Sequence, residues 1–258
     1  MSNEGTTEIE PLYSPSGADL LDGLTIVEGG GVTSAKGFKA SGVHAGFRQD
    51  PNRLDMALVV SDEPASCAAT FTQNVFCAAP VTVSREHLDG VSYGTARALI
   101  VNSGTANAAT GSLGLDNARE TARIVGDVVG CPANEVLVAS TGVIGVHLDM
   151  SIFESGAPLA YGALSRDGGA NAARAIMTTD TRPKEAAVSF AGDAVGYPGA
   201  VFTIGGMAKG AGMIMPNMAT MISCITTDAP VAPDVLHKAL ATVVPQTFNK
   251  ITVDSDTS

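Results

Sequence analysis

Residues Gly205 to Asp228 read GGMAKGAGMIMPNMATMISCITTD. A helix would not tolerate this many glycines together with Pro216 in its interior, whereas a loop that a ligand or another backbone approaches closely favours them. The stretch therefore predicts a glycine-rich lining loop up to Ala219, followed by a buried strand over Met221 to Thr226. Thr220 falls at the junction, preceded by Ala219, whose small side chain leaves its carbonyl accessible. This arrangement suits an N-terminal nucleophile. A threonine hydroxyl attacks the carbonyl before it, an N-to-O shift gives an ester, and water splits the chain to free a threonine α-amine. That amine, with a reference pKa of about 7.7 to 8.0, is tethered to the hydroxyl it must deprotonate, so no histidine is required. By spacing alone, a structural threonine entering a strand is the commoner case.

Outward from this stretch, short β-like runs recur between Gly- or Asn-rich turns: Met56 to Val60, Ala68 to Thr72, Val81 to Ser84, Ala98 to Asn102 and Val136 to Ala139. Between them, Ala118, Ala122, Val125 and Val129 share one face of a helix over Asp116 to Val129. Two further helices are predicted, Asn171 to Met177 and Asp234 to Val243, the second opened by Pro233-Asp234 and stopped before Pro245. The order is mixed α and β without an internal repeat. Met1 to Asp22 read as a flexible leader, which divides the chain into 1–23, 24–219 and 220–258.

The chain has 258 residues, with 15 basic and 26 acidic side chains and a net charge of −11. No stretch concentrates Lys and Arg, which argues against a nucleic-acid surface. No apolar run reaches the ~18 residues that span a bilayer, and the acidic N-terminus MSNEGTTEIE lacks the pattern of a secretory signal, so the expectation is a cytoplasmic protein without a membrane segment. Cys67, Cys77, Cys131 and Cys224 form no C-x-x-C pair and read as free thiols, and His44, His87, His147 and His237 show no ligand spacing, so no metal is expected. Gly90-Val91-Ser92-Tyr93-Gly94 matches G-x-S-x-G, but a helix-like segment precedes it and a strand follows, the reverse of a nucleophile elbow. Gly29–Gly37 and Gly205–Gly212 lack phosphate-loop spacing, and Asp254-Ser255-Asp256 lacks the rest of a calcium loop.

Several blocks together resemble a known family in the expected order: GVTSAKGFKASGV (Gly31 to Val43), ALVVSD (Ala57 to Asp62), APVTVSREHL (Ala79 to Leu88), VNSGTANAATG (Val101 to Gly111), VASTGVIG (Val138 to Gly145), AIMTTDTRPKEAAV (Ala175 to Val188), GGMAKGAGM with PNMATM, and FNKITVDSDTS (Phe248 to Ser258). They are similar to the ornithine acetyltransferases, the bifunctional glutamate N-acetyltransferases of arginine biosynthesis. The resemblance implies an α/β fold with sheets sandwiched by helices. It also implies autocatalytic cleavage between Ala219 and Thr220, Thr220 as the acetyl-accepting nucleophile, Thr141 and Gly142 as the oxyanion hole, and Thr178, Lys209 and Thr220 as substrate contacts. Asn102 and Asn107 read as backbone-shaping. The implied reaction is a ping-pong transfer of acetyl from N-acetylornithine to glutamate, with no bound cofactor; bifunctional members also use acetyl-CoA as donor. The implied assembly is a heterotetramer of two cleaved pairs.

The family continues beyond TVDSDTS with further substrate-contacting residues, so the sequence reads as one lacking that C-terminal part, and poor folding or activity of the 258-residue chain by itself is expected. Two other readings stand beside the resemblance. One is an aminopeptidase or amidohydrolase using the same tethered amine; the other is an inactive fragment acting as an interaction module.

Overall fold

A computed structural model describes residues 23–214 and 221–255. Ala219, Thr220 and nearly all of the expected leader lie outside them. Two four-stranded sheets make up the architecture, with strand orders β1-β6-β7-β8 and β2-β3-β4-β5. The strands are β1 (Leu24–Ile26), β2 (Phe38–Val43), β3 (Met56–Ala68), β4 (Tyr93–Thr105), β5 (Val136–Val143), β6 (Lys184–Ala191), β7 (Val201–Lys209) and β8 (Ile222–Thr227). The helices are α1 (Ala79–His87), α2 (Gly111–Val129), α3 (Met150–Gly162), α4 (Gly169–Ala175) and α5 (Pro233–Val243).

Side-chain alternation explains why the second sheet is buried on both faces. Met56, Leu58 and Val60 of β3, with Ala98 and Ile100 of β4 and Val136 and Val138 of β5, meet the apolar sides of α1, α2 and α3. The intervening Ala57, Val59 and Val101 pack instead against α4 and Met207 of β7. Runs such as MALVV and ALIV are therefore continuous rather than alternating, as strands covered on both sides require. On α2, Ala118, Ala122 and Val125 are buried and Val129 packs at the edge of the same core, so the 3.6-residue face is the one that docks.

β4 and β5 run parallel, connected through α2, while the other neighbours in both sheets are antiparallel. Parallel pairing brings the C-terminal ends of β4 and β5 side by side, with Ser103 opposite Thr141 and Gly104 opposite Gly142.

Several elements differ from the sequence expectation. Val81 to Ser84 is helical, inside α1: Pro80 sits in the first turn, where its fixed φ favours helix, and this outweighs the β-branched Val81-Thr82-Val83. Ser84 Oγ donates to Val138 O at 2.8 Å and accepts from Val138 N at 2.9 Å, tying that helix to β5. Met56 to Val60 extends into a single strand that reaches Ala68, with a register shift between Val60 and Ala65. Pro64 lies in this bulge, where no ladder donor is needed, and Ala69 onward is not strand. The expected loop over Gly205 to Lys209 is the second half of β7. A Cβ on Gly205 would collide with the backbone of Gly31, so the close-approach argument holds while the element type changes. α3, with Asp149 Oδ1 accepting from Ser151 N at 3.1 Å as its N-cap, was not foreseen.

Candidate active site

β7 alternates inward at Gly205, Met207 and Lys209, so strand geometry puts Lys209 on the face that packs towards the second sheet. Only 4% of Lys209 is exposed, and it does not stand in solvent as a surface lysine would. Its Nζ donates to Thr141 Oγ1 at 3.2 Å. Burial pushes the ammonium below its ordinary pKa; Asp180 pulls it back up, and Lys184 and Arg48 push it down further. Because Thr141 Oγ1 accepts from Lys209, its own hydroxyl proton is free to donate elsewhere.

Thr141 and Gly142 belong to the last residues of β5 rather than to a turn beyond Ala139. Gly142 has φ +132, and a Cβ there would collide with the Gly104 carbonyl and come within 2.7 Å of Thr105 N. Only glycine permits this apposition. Asn102 also lies in strand, in β4, where its Nδ2 donates to Thr105 O at 2.9 Å. The buried Asn107, at φ +47, donates from Nδ2 to Gly114 O at 2.9 Å and accepts from Thr110 Oγ1 at 2.8 Å. Both asparagines shape backbone. Ser92 occupies a turn between α1 and β4, which agrees with dismissing the nucleophile elbow.

Thr178 follows α4. Its amide donates to Asp180 Oδ2 at 3.2 Å, and its carbonyl accepts from Arg53 Nη2 at 3.2 Å. The buried Asp180 also accepts from Gly210 N at 2.8 Å and from Lys184 Nζ. Burial disfavours its charge, but the Lys184 ammonium and the Gly210 and Thr178 amides outweigh that cost, so its pKa lies below the ordinary value. One carboxylate thus joins the residue after Lys209 to Thr178.

Arg48, Thr141, Gly142, Thr178, Lys209, Gly212 and Met221 line a single cavity of about 1960 Å³ that continues between the two sheets. Four residues named from sequence, Thr141, Gly142, Thr178 and Lys209, are brought together in it. Arg48, Ser103 and Asp180 were missed. Asp180 lay inside the TTDTRPK block, but only the folded chain shows its bonds to Gly210.

The model of the ArgJ family matches residues 39–258. The chain belongs to the ArgJ family. Among similar ArgJ proteins, the arginine biosynthesis bifunctional protein of Nitratidesulfovibrio vulgaris is 49% identical over 225 residues, covering 87% of this chain and 55% of that protein. The chloroplastic ArgJ protein of Sorghum bicolor is 43% identical over 259 residues, covering 100% of this chain and 53% of that protein. The chain therefore spans about half the length of the curated ArgJ relatives it matches. Among solved ArgJ structures, that of Bacillus halodurans superposes with TM-score 0.68 at 38% identity, covering 77% of this chain and 98% of that one. Ornithine acetyltransferase of Mycobacterium tuberculosis, solved with ornithine, gives TM-score 0.67 at 38% identity, covering 77% and 100%. These bear out the mixed α/β fold. No helix among the described residues is long and apolar enough to cross a membrane.

Proposed function

We propose that this chain carries the nucleophile half of a cytoplasmic acetyltransferase of arginine biosynthesis, which moves acetyl from N-acetylornithine to glutamate through an acetyl-Thr220 ester. The observation that carries this reading is the hydrogen bond from the buried Lys209 to the half-buried Thr141, set beside Gly142 and Thr178 in the cavity that Met221, the neighbour of Thr220 in sequence, also lines. The charge balance agrees. In a chain of net charge −11, this end of the fold gathers the cations Arg48, Arg53, Lys184 and Lys209 beside the carboxylates of Asp55, Asp180 and Asp254, an environment suited to an anionic amino acid.

Thr220 Oγ first attacks the Ala219 carbonyl; the N-to-O shift breaks the Ala219–Thr220 amide bond and frees the Thr220 amine, and water then hydrolyses the ester, leaving Ala219 as a carboxylate and restoring the Thr220 hydroxyl. Two lengths support this cleavage. About 199 residues (77% of 258) account for 98–100% of the two solved chains, close to the 196 residues of 24–219, whereas the curated relatives are about twice this chain's matched length. In the transfer, the Thr220 amine takes the proton from Oγ as Oγ attacks the acetyl carbonyl of N-acetylornithine. The oxyanion is held by the Thr141 hydroxyl, polarised by Lys209, together with Gly142. Collapse breaks the amide bond and returns the proton to the leaving ornithine amine. The glutamate amine then attacks the ester by the same path, restoring Thr220. Acetyl-CoA serves as an alternative donor, no cofactor stays bound, and two cleaved pairs assemble as a heterotetramer.

Isotope-labelled N-acetylornithine incubated with the protein and glutamate tests the reaction. Labelled N-acetylglutamate with parallel-line kinetics is expected; release of free acetate in its place would make the enzyme a hydrolase and overturn the proposal.

A further inference from the structure

Arg48 lies in the loop between β2 and β3, far in sequence from Thr141, Thr178, Lys209 and Thr220. Its backbone amide donates to Asp55 Oδ2 at 2.9 Å, its Nε to Ser103 Oγ at 3.3 Å and its Nη2 to Met177 O at 2.9 Å. These bonds fix the plane of the guanidinium. Ser103 and Thr141 are register partners on adjacent parallel strands. Residues paired this way project their side chains on the same face, on strands about 4.8 Å apart. Arg48 on Ser103 and Lys209 on Thr141 therefore stand side by side at the same end of the cavity.

Neither cation is neutralised by an ion pair among the described residues. The Asp55 carboxylate accepts from the amides of Ala45 at 2.6 Å, Gly46 at 3.2 Å and Arg48, with His44 Nδ1 at 3.3 Å, and the Asp180 carboxylate is taken by Lys184, Gly210 and Thr178. Arg48 Nη1 has no partner among the described residues, and Arg48 borders the cavity. Two adjacent, partly desolvated cations are costly to assemble unless an anion joins them. A guanidinium held in one plane is suited to carboxylate recognition.

We propose that Arg48, beside Lys209, anchors a carboxylate of the amino-acid substrate. The inference rests on the acetyl-transfer reading for its substrate class. The carboxylate is either the α-carboxylate, shared by N-acetylornithine and glutamate, or the side-chain carboxylate that only glutamate has, and the two half-reactions separate these sources.

The test compares Arg48→Gln with the unsubstituted complete protein, measuring acetyl-enzyme formation from N-acetyl-L-ornithine and acetyl transfer to L-glutamate separately. An increase of at least tenfold in KM for glutamate, with kcat within about threefold, is expected. A matching rise for N-acetylornithine assigns the α-carboxylate; a rise for glutamate alone assigns the side-chain carboxylate. Unchanged KM values, or a fall in kcat alone, would overturn the proposal, because a purely structural role lowers thermal stability without changing substrate affinity. If Arg48→Gln does not fold, Arg48→Lys retains the charge without the fork, and calorimetric titration with L-glutamate should then show weaker binding, whereas equal binding overturns the anchor. Failure of the unsubstituted protein to form an acetyl-enzyme counts against the acetyl-transfer reading, and the glutamate titration still decides for or against Arg48.

Discussion

Asp180→Ala is expected to lower unfolding stability by about 3–5 kcal/mol and to reduce acetyl transfer by about 100-fold or more in the molecules that remain folded. The carboxylate is buried and serves the Lys184 ammonium and the amides of Thr178 and Gly210 together. Removing it leaves two amides without an acceptor and deprives Lys209 of the one carboxylate that raises its pKa. It also unties Thr178 from the end of β7, so two expected substrate contacts lose their common reference point. Given total stabilities of about 5–15 kcal/mol, the variant should sit near the edge of folding. The effect also has a pH signature. The folded pKa of Asp180 lies below the unfolded value of about 3.9, so its contribution is fully present above the unfolded value and is lost as pH falls through the folded one. Denaturant melts of both proteins should differ most at neutral pH and converge in acid. A difference independent of pH would remove the carboxylate charge from the explanation.

Gly142→Ala should be nearly as damaging, at about 2–6 kcal/mol, combining backbone strain with overpacking. The position has φ +132, and the new methyl group would be driven into the Gly104 carbonyl across the parallel β4–β5 pair. The strands must separate where Thr141 and Gly142 are proposed to hold an oxyanion, so kcat should fall along with stability. Gly145→Ala is the matched control. It has φ +82 with nothing within 4 Å of the added atom, so it should cost only about 1–2 kcal/mol and leave kcat close to normal. Equal effects of the two substitutions in thermal melts and turnover assays would refute the steric argument.

The sheet cores were readable from the sequence because strands covered on both faces give unbroken apolar runs, as in Met56 to Val60 and Ala98 to Val101, and because α2 keeps one docking face through Ala118, Ala122 and Val125. α1 was misread because local β-propensity at Val81 to Val83 competes with a first-turn proline, and tertiary packing of Val83 and Ser84 decides the outcome. β7 was misread because Gly205 looks like loop chemistry when it serves a close contact with Gly31. That error hid the alternation that turns Lys209 inward. The ordered motif blocks named Thr141, Gly142, Thr178 and Lys209, and the fold brings them to one cavity. Arg48 and Asp180 gain their meaning from partners far apart in the chain, Ser103 and Met177 for one and Gly210 for the other, and no local spacing encodes such pairs.

The central claim is that Thr220 cuts the chain before itself and then carries the acetyl group. Its most direct test is the intact mass of the purified protein beside Thr220→Ala, before and after adding N-acetylornithine. The account predicts a fragment beginning Thr220-Met221-Ile222, absent from the variant, that gains the mass of one acetyl group on addition of the donor. A protein that transfers acetyl to glutamate while remaining uncut, or whose fragment is never acetylated during turnover, would contradict it.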